Sequence, residues 1–446
     1  MPAILKNTFA YTTVIAVVIA NMVGTGVFTS LGFQLLELRS GFVLLALWGV
    51  GGLVALCGAM TYAELGAALP RSGGEYNFLS RIYHPGFGFV SGWISATIGF
   101  AAPTALAAMT FAAYATSVLP QDLDYRIEKL IAITLIVLMS VVHSGNRRSS
   151  GGMQWIFTII KVGIIVVFCA AALLIVDEPQ SLTFLPVSGD AKLIMSGAFA
   201  VSLIYVSYAY TGWNAATYLS SELDNPQRDL PRILFAGTAV VTVLYLALNY
   251  VFLRVAPMDA MAGKIEIGFI AAEAAFGKVG GQFAGLTLAL LLISTVSAMT
   301  LAGPRVLQVI GQDFSILRAL SRTNDDGLPY FAIRTQSAIA IVFILTSGFE
   351  SILVFAGFTL ALNSFVTVLG VFVLRWRQPD LPRPYRTFAY PLTPIVYLLL
   401  MGWTLGYVLS NRPTEGLFGL GLIASGAVMY WVSARWAPRS PQQGSD

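Results

Sequence analysis

"IANMVGTGVFTS", residues 19 to 30, breaks an apolar run at Gly24, Thr25 and Gly26. A helix crossing a bilayer has most need of an unbroken hydrogen-bond ladder there. Each backbone amide or carbonyl left unpaired in hydrocarbon is costly, so a break survives only where the freed groups face protein, water or a ligand. Glycine supplies the backbone freedom for such a break and keeps side chains out of it. A glycine pair also lets two helices pack closely, and that alternative stands beside the first.

The rest of the chain explains why the break lies in a membrane. Of 446 residues, 57% are hydrophobic and 11% charged, and the mean hydropathy is +0.76. Soluble domains carry about 25% charged residues. Apolar runs long enough to span a bilayer fall near residues 11–33, 41–68, 87–118, 128–143, 152–176, 193–219, 232–255, 280–302, 331–347, 351–374, 391–410 and 416–434. About twelve spans are therefore expected. Residues 256–279 and 303–330 read as short amphipathic helices at an interface.

Basic residues sort by loop. Arg71, Arg81, Arg147, Arg148, Arg228, Arg305, Arg318, Arg322, Arg375, Arg377, Arg383 and Arg386 share one side, together with Arg435 and Arg439 of the tail. Asp122, Asp124, Glu128, Asp177 and Glu178 lie on the other. The positive-inside pattern places both termini in the cytosol. Arginines scattered over short loops form no basic face for nucleic acid. Cys57 and Cys169 lie within spans, and His84 and His143 are the only histidines, so neither a disulfide framework nor a histidine-rich metal site is indicated. No cofactor is expected.

A second break answers the first. "SYAYTGWNAA", residues 207 to 216, puts Thr211 and Gly212 inside the sixth span. Spans one and six are five apart, so they cross in opposite directions. Paired interruptions in two inverted halves point to a transporter's binding site. One half-helix end offers amides to an anion and the other offers carbonyls to a cation. An α-amino acid carries both charges a few ångströms apart. Tyr208 and Trp213 flank the second break, placed to close over a ligand or simply to pack.

Lys161, in "GGMQWIFTIIKVGIIVVFC", lies nine residues beyond Gly152. At 1.5 Å per residue that is roughly 13 Å into the core, too deep to snorkel out easily. Its acceptors would be carbonyls freed in span one or the hydroxyls of Ser294, Thr295 and Ser297. Functional and purely structural roles are both open. Glu64 near the end of span two reads as an end cap or a salt bridge to a loop.

Several stretches resemble amino acid permeases of the amino acid–polyamine–organocation superfamily, especially L-type exchangers and their bacterial relatives. They are "GTGVF" in span one, "YAELGAALPRSGGEYNFL" across the end of span two, "AYTGWN" and "SELDNPQRDLPR" in and after span six, and "LPRPYRTFAYPLTP" before span eleven. The resemblance implies an all-α membrane fold, a five-plus-five inverted repeat with discontinuous helices 1 and 6, and two extra helices. The organisation expected is a cytoplasmic segment 1–10, a first repeat 11–176, an extracytoplasmic loop 177–192, a second repeat 193–375, spans eleven and twelve within 376–434, and a tail 435–446. By the same likeness, substrate contacts are Met22, Gly24, Thr25, Gly26, Tyr208, Ala209, Thr211 and Gly212. The amides of Thr25 and Gly26 would take the carboxylate; the carbonyls of Met22, Tyr208 and Thr211 would take the ammonium. Tyr208, with Trp213, would gate. Lys161 would replace a sodium ion, bridging the Ala20 and Val23 carbonyls to Thr295.

The expected function is sodium-independent, alternating-access transport of neutral L-amino acids across the plasma or inner membrane, by exchange or facilitation. Neutrality rests on the lack of an acid near either break. Proton symport through Lys161, amine or polyamine transport, and a non-transporting receptor or scaffold are the alternatives. An intramembrane catalytic constellation is not visible, and the sequence names no partner subunit.

Overall fold

A computed structural model describes residues 11–71, 73–119, 124–145, 151–176, 179–325 and 327–436. The segments 1–10 and 437–446, and with them Asp122, Arg147, Arg148, Asp177, Glu178 and Arg439, lie outside the described residues. Helices α1 (Tyr11–Met22) and α2 (Gly26–Gln34) are the halves of span one, and α3 (Gly41–Ala68) is span two. After the short α4 (Gly74–Ile82), span three is α5 (Pro85–Ile94) and α6 (Ala101–Ser117), joined by a π-helical turn at Ser95–Gly99. Spans four and five are α7 (Tyr125–Gly145) and α8 (Gly151–Ile175). A short α9 (Asp190–Ile194) precedes α10 (Gly197–Ala209), the helical part of span six, which runs on into a 3-10 stretch at Ala215–Glu222. Then come α11 (Pro226–Val255), the single-turn α12 (Met258–Met261), α13 (Ile267–Asp313), α14 (Tyr330–Thr346), α15 (Phe349–Arg377), α16 (Leu392–Asn411) and α17 (Pro413–Trp436). No strand occurs among the described residues.

Ten segments are long and apolar enough to cross a bilayer, and Gly197–Ala209 and Tyr330–Thr346 are shorter apolar helices. Together they give the twelve expected. Helix starts follow local chemistry. The Ser40 and Ser196 hydroxyls accept from the Val43 and Phe199 amides, each at 3.3 Å, capping α3 and α10. Pro85 opens α5, where its missing N–H costs nothing.

Burial ranks the spans. Span three is 78% buried over its most apolar window, against 22% for each of spans four and five and 17% for span twelve. The kinked α5–α6 rod is thus enclosed by its neighbours, as is α10 of span six, most of whose residues are buried.

One reading changes. Residues 303–313 continue α13 instead of forming a separate interfacial helix, and the helix runs through Pro304. Within 256–279 a short helix from Ile267 is set apart from span eight, as expected, by Gly277, whose φ of +73° is not helical. Glu64 answers to the salt-bridge expectation. It is fully buried and takes a two-pronged guanidinium from Arg375 at 2.8 and 2.7 Å, together with the amide and hydroxyl of Thr387, both at 2.7 Å. The Arg383 guanidinium stands 3.6 Å away. These bonds tie the loop entering α16 to the end of α3 and hold the Glu64 carboxylate ionised among donors.

Candidate substrate site

The first break is real and short. Val23 still donates to Ile19 at 2.8 Å, but Gly24 turns back on Met22 at 2.8 Å, and the ladder resumes only with Phe28 on Thr25 at 3.0 Å. The amides of Thr25, Gly26 and Val27 have no backbone acceptor among the described residues. They are the first amides of α2, where a helix presents unpaired N–H groups and partial positive charge. In the second break, Thr211 donates to Tyr208 at 2.9 Å and Gly212 adopts φ +108° before the 3-10 stretch begins. The Thr211 carbonyl receives no backbone donor among the described residues.

Packing and opening are divided between neighbouring glycines. A Cβ at Gly26 would lie 2.5 Å from the Ala209 Cα, and one at Gly212 would lie 2.8 Å from the Asn21 carbonyl. Each break therefore rests on the backbone of the other. A Cβ at Gly24 would meet nothing nearer than the Met22 carbonyl oxygen at 3.9 Å. Close packing explains Gly26 and Gly212; it does not explain Gly24, which opens onto a cavity.

That cavity has a volume of about 180 Å³, small beside the 300–1,000 Å³ of drug-sized pockets. Met22, Gly24, Thr25, Gly26, Tyr208, Ala209, Thr211, Gly212 and Trp213 all line it, so every expected substrate and gating residue converges on one space. Trp213 packs edge-on to Tyr62, ring centroids 4.6 Å apart, and its six-membered ring covers Gly58.

Lys161 is buried, and its ammonium donates to the Thr295 hydroxyl at 2.8 Å. Among the described residues it makes no hydrogen bond to the Ala20 or Val23 carbonyl. A separate gap of about 20 Å³, bounded by Lys161, Val23, Gly24 and Thr295, lies between them; a water needs roughly 10–15 Å³. Thr295 lines both spaces and so connects the lysine to the larger cavity wall. The Ser297 hydroxyl meets His143 at 2.8 Å, and Lys161 makes no hydrogen bond to it among the described residues.

Two residues at the centre escaped the sequence reading. The Tyr245 hydroxyl donates to the Met22 carbonyl and lies 3.0 Å from that of Ala209, joining both breaks from α11. A tyrosine in mid-span needs a partner for its hydroxyl, which was the available signal. The other is Glu75. Gly73 and Gly74 turn the chain at φ +122° and +52°, with the Gly74 Cα against the Tyr218 ring, and α4 then carries Glu75 into the cavity wall. Its carboxylate accepts from Tyr62, from Ser364 at 3.0 Å, from Asn214 at 3.4 Å and from Asn363. An acid therefore does lie beside the second break, contrary to the sequence expectation. All its partners are neutral donors.

Burial pushes the Glu75 carboxyl above its ordinary value, and the Tyr62, Ser364, Asn363 and Asn214 donors draw it only part of the way back. A raised native value means that stability is full at low pH and falls as pH rises through it. Glu75→Gln removes that term. Melting curves of both proteins should therefore diverge with pH, the wild type losing stability relative to Glu75→Gln as pH rises above the carboxylate range. Parallel curves would show that the group does not titrate there.

A model of the family described as amino acid permease matches residues 9–432. The chain belongs to that family. Among proteins this permease resembles is the large neutral amino acids transporter small subunit 2 of Oryctolagus cuniculus, 28% identical over 97% of this chain and 81% of the relative. The Asc-type amino acid transporter 1 of Mus musculus is 27% identical over 97% and 82%. The b(0,+)-type amino acid transporter 1 of Mus musculus is 25% identical over 94% and 86%. Amino acid transport across a membrane accounts for the multi-helix fold and for a cavity between two broken helices. Among the described residues no cluster of His, Cys, Asp and Glu is placed to hold a metal.

Proposed function

We propose that this permease is a sodium-independent, alternating-access transporter of neutral L-amino acids, working by exchange or facilitation in the plasma or inner membrane with both termini cytosolic. The observation that carries the reading is the set of unpaired amides at residues 25–27, of which Thr25 and Gly26 line a small cavity shared with the second break. A carboxylate docks on those amides with the help of the α2 dipole. The ammonium is taken by carbonyls of the opposing break. Thr211 is the freest of these, since Met22 and Ala209 already meet the Tyr245 hydroxyl and Tyr208 meets the Thr211 amide. Tyr208 closes the outer side. Glu75 does not overturn neutrality, because its oxygens are occupied by four donors. By the permease resemblance Lys161 stands in for a sodium ion, and its bond to Thr295 supports that part of the reading. Relatives named for large neutral amino acids support the substrate class.

Proteoliposomes preloaded with leucine should take up labelled leucine faster than empty ones, and equally in sodium or choline buffer. Uptake that needs sodium, or ligand binding without any flux, would overturn the reading. Leucine methyl ester should compete at least tenfold more weakly than leucine, since charge-assisted bonds to the carboxylate are worth about 1.5–3 kcal/mol. Equal competition would remove the amide site and favour an amine carrier.

A further inference from the structure

A second concavity, of about 690 Å³, lies at the end of α11 remote from the amino acid cavity. It is lined by Arg228, Arg232, Phe235, Met60, Tyr385 and Phe388, among others. Of the arginines on this side, two line the groove, and those nearest it on the α15–α16 loop are engaged elsewhere. Arg375 is spent on Glu64, Arg377 on the Ile82 carbonyl at 2.9 Å, and Arg383 on the carbonyls of Gln378 and Leu381 at 2.7 and 2.8 Å. Arg228 and Arg232 form no ion pair or hydrogen bond with any described residue and are exposed. One helical turn apart, they present two guanidiniums on one face. The facing wall is fixed, because Thr387 is clamped by both its amide and its hydroxyl to Glu64.

Polarity is graded along the groove. Seven residues separate Arg228 from Phe235, roughly 10 Å along the helix. Phe235, one level deeper, is 49% exposed, and Phe388 of the facing loop 69%. Two free guanidiniums at the water-facing end and bare aromatic rings a headgroup's length deeper match a molecule with an anionic head and an apolar tail. Inorganic phosphate or an acidic peptide would leave the aromatic floor bare. The distribution of loop charge assigns this end to the cytosolic leaflet, where anionic lipids gather against basic side chains.

We propose that this groove binds an anionic phospholipid, its phosphate between Arg228 and Arg232 and an acyl chain along Phe235 and Phe388. The site is independent of the substrate reading above. Binding fixes the start of α11, the helix whose Tyr245 joins the two breaks, so occupancy couples to the transport cycle.

The test uses the full-length protein in nanodiscs of phosphatidylcholine doped with phosphatidylglycerol, with lipid retained after extraction counted by native mass spectrometry. Wild type should retain phosphatidylglycerol over phosphatidylcholine. Each of Arg228→Gln and Arg232→Gln should cut that preference roughly fivefold, and the double variant about thirtyfold. The double lysine variant, Arg228→Lys with Arg232→Lys, should keep it, and all variants should keep the leucine-induced thermal shift, a sign of an intact fold. Retention unchanged in the double glutamine variant overturns the proposal. So does displacement of the lipid by millimolar inorganic phosphate, which would make the groove a site for soluble anions.

Discussion

Lys161→Ala should lower amino acid flux by roughly 10- to 100-fold while leaving the melting temperature equal or higher. The bond from its ammonium to Thr295 is charge-assisted, a class worth about 1.5–3 kcal/mol, which sets the scale of the loss. Stability runs the other way because no acid faces the buried ammonium among the described residues, and burying a cation without an ion partner is a net cost. The two readouts separate function from glue. A structural lysine would lose flux and melting temperature together, and an idle one would lose neither. The same substitution assayed across external pH, with sodium absent, tests proton symport: coupled uptake that persists in Lys161→Ala excludes the lysine as carrier.

Gly24→Leu should abolish leucine binding, by at least 100-fold, in a protein that remains folded. The Cβ has open space, the backbone there is not left-handed, and four carbons would take up much of a cavity of about 180 Å³. Gly26→Ala makes the opposite comparison. One added methyl meets the Ala209 backbone at 2.5 Å, which cannot swing aside as a flexible side chain would. Overpacking of this kind costs about 1–3 kcal/mol, so Gly26→Ala should be recovered in low yield with a lowered melting temperature. Isothermal titration and differential scanning fluorimetry on the pair check both halves. A folded Gly24→Leu that still binds leucine would place the ligand elsewhere.

Much of the fold was legible because the bilayer imposes its own grammar. Long apolar runs gave the helix count, and two glycine-bearing breaks five spans apart pointed to where the cavity lies; the full set of contacts, Met22 and Ala209 included, was implied by the permease resemblance. Elements that depend on tertiary contact were not legible. Span eight was expected to end at 302, yet α13 passes through Pro304 to Asp313, a continuation that hydropathy does not show. The π-helical turn at Ser95–Gly99 has no composition of its own, though Ser95 and Gly99 reach the cavity wall. Glu75 was not expected near either break, because hydropathy cannot foresee that Gly73 and Gly74 turn the next helix back toward the cavity. Tyr245 was one aromatic among many until the carbonyls it serves were in place.

Gly24 and Gly26 are separated by a single residue and answer to different masters. One borders empty space, so a change there alters what fits; the other presses on a neighbouring main chain, so a change there forces the two breaks apart. Ligand preference is thereby free to drift in evolution or in the laboratory without disturbing the seam between the two interrupted helices.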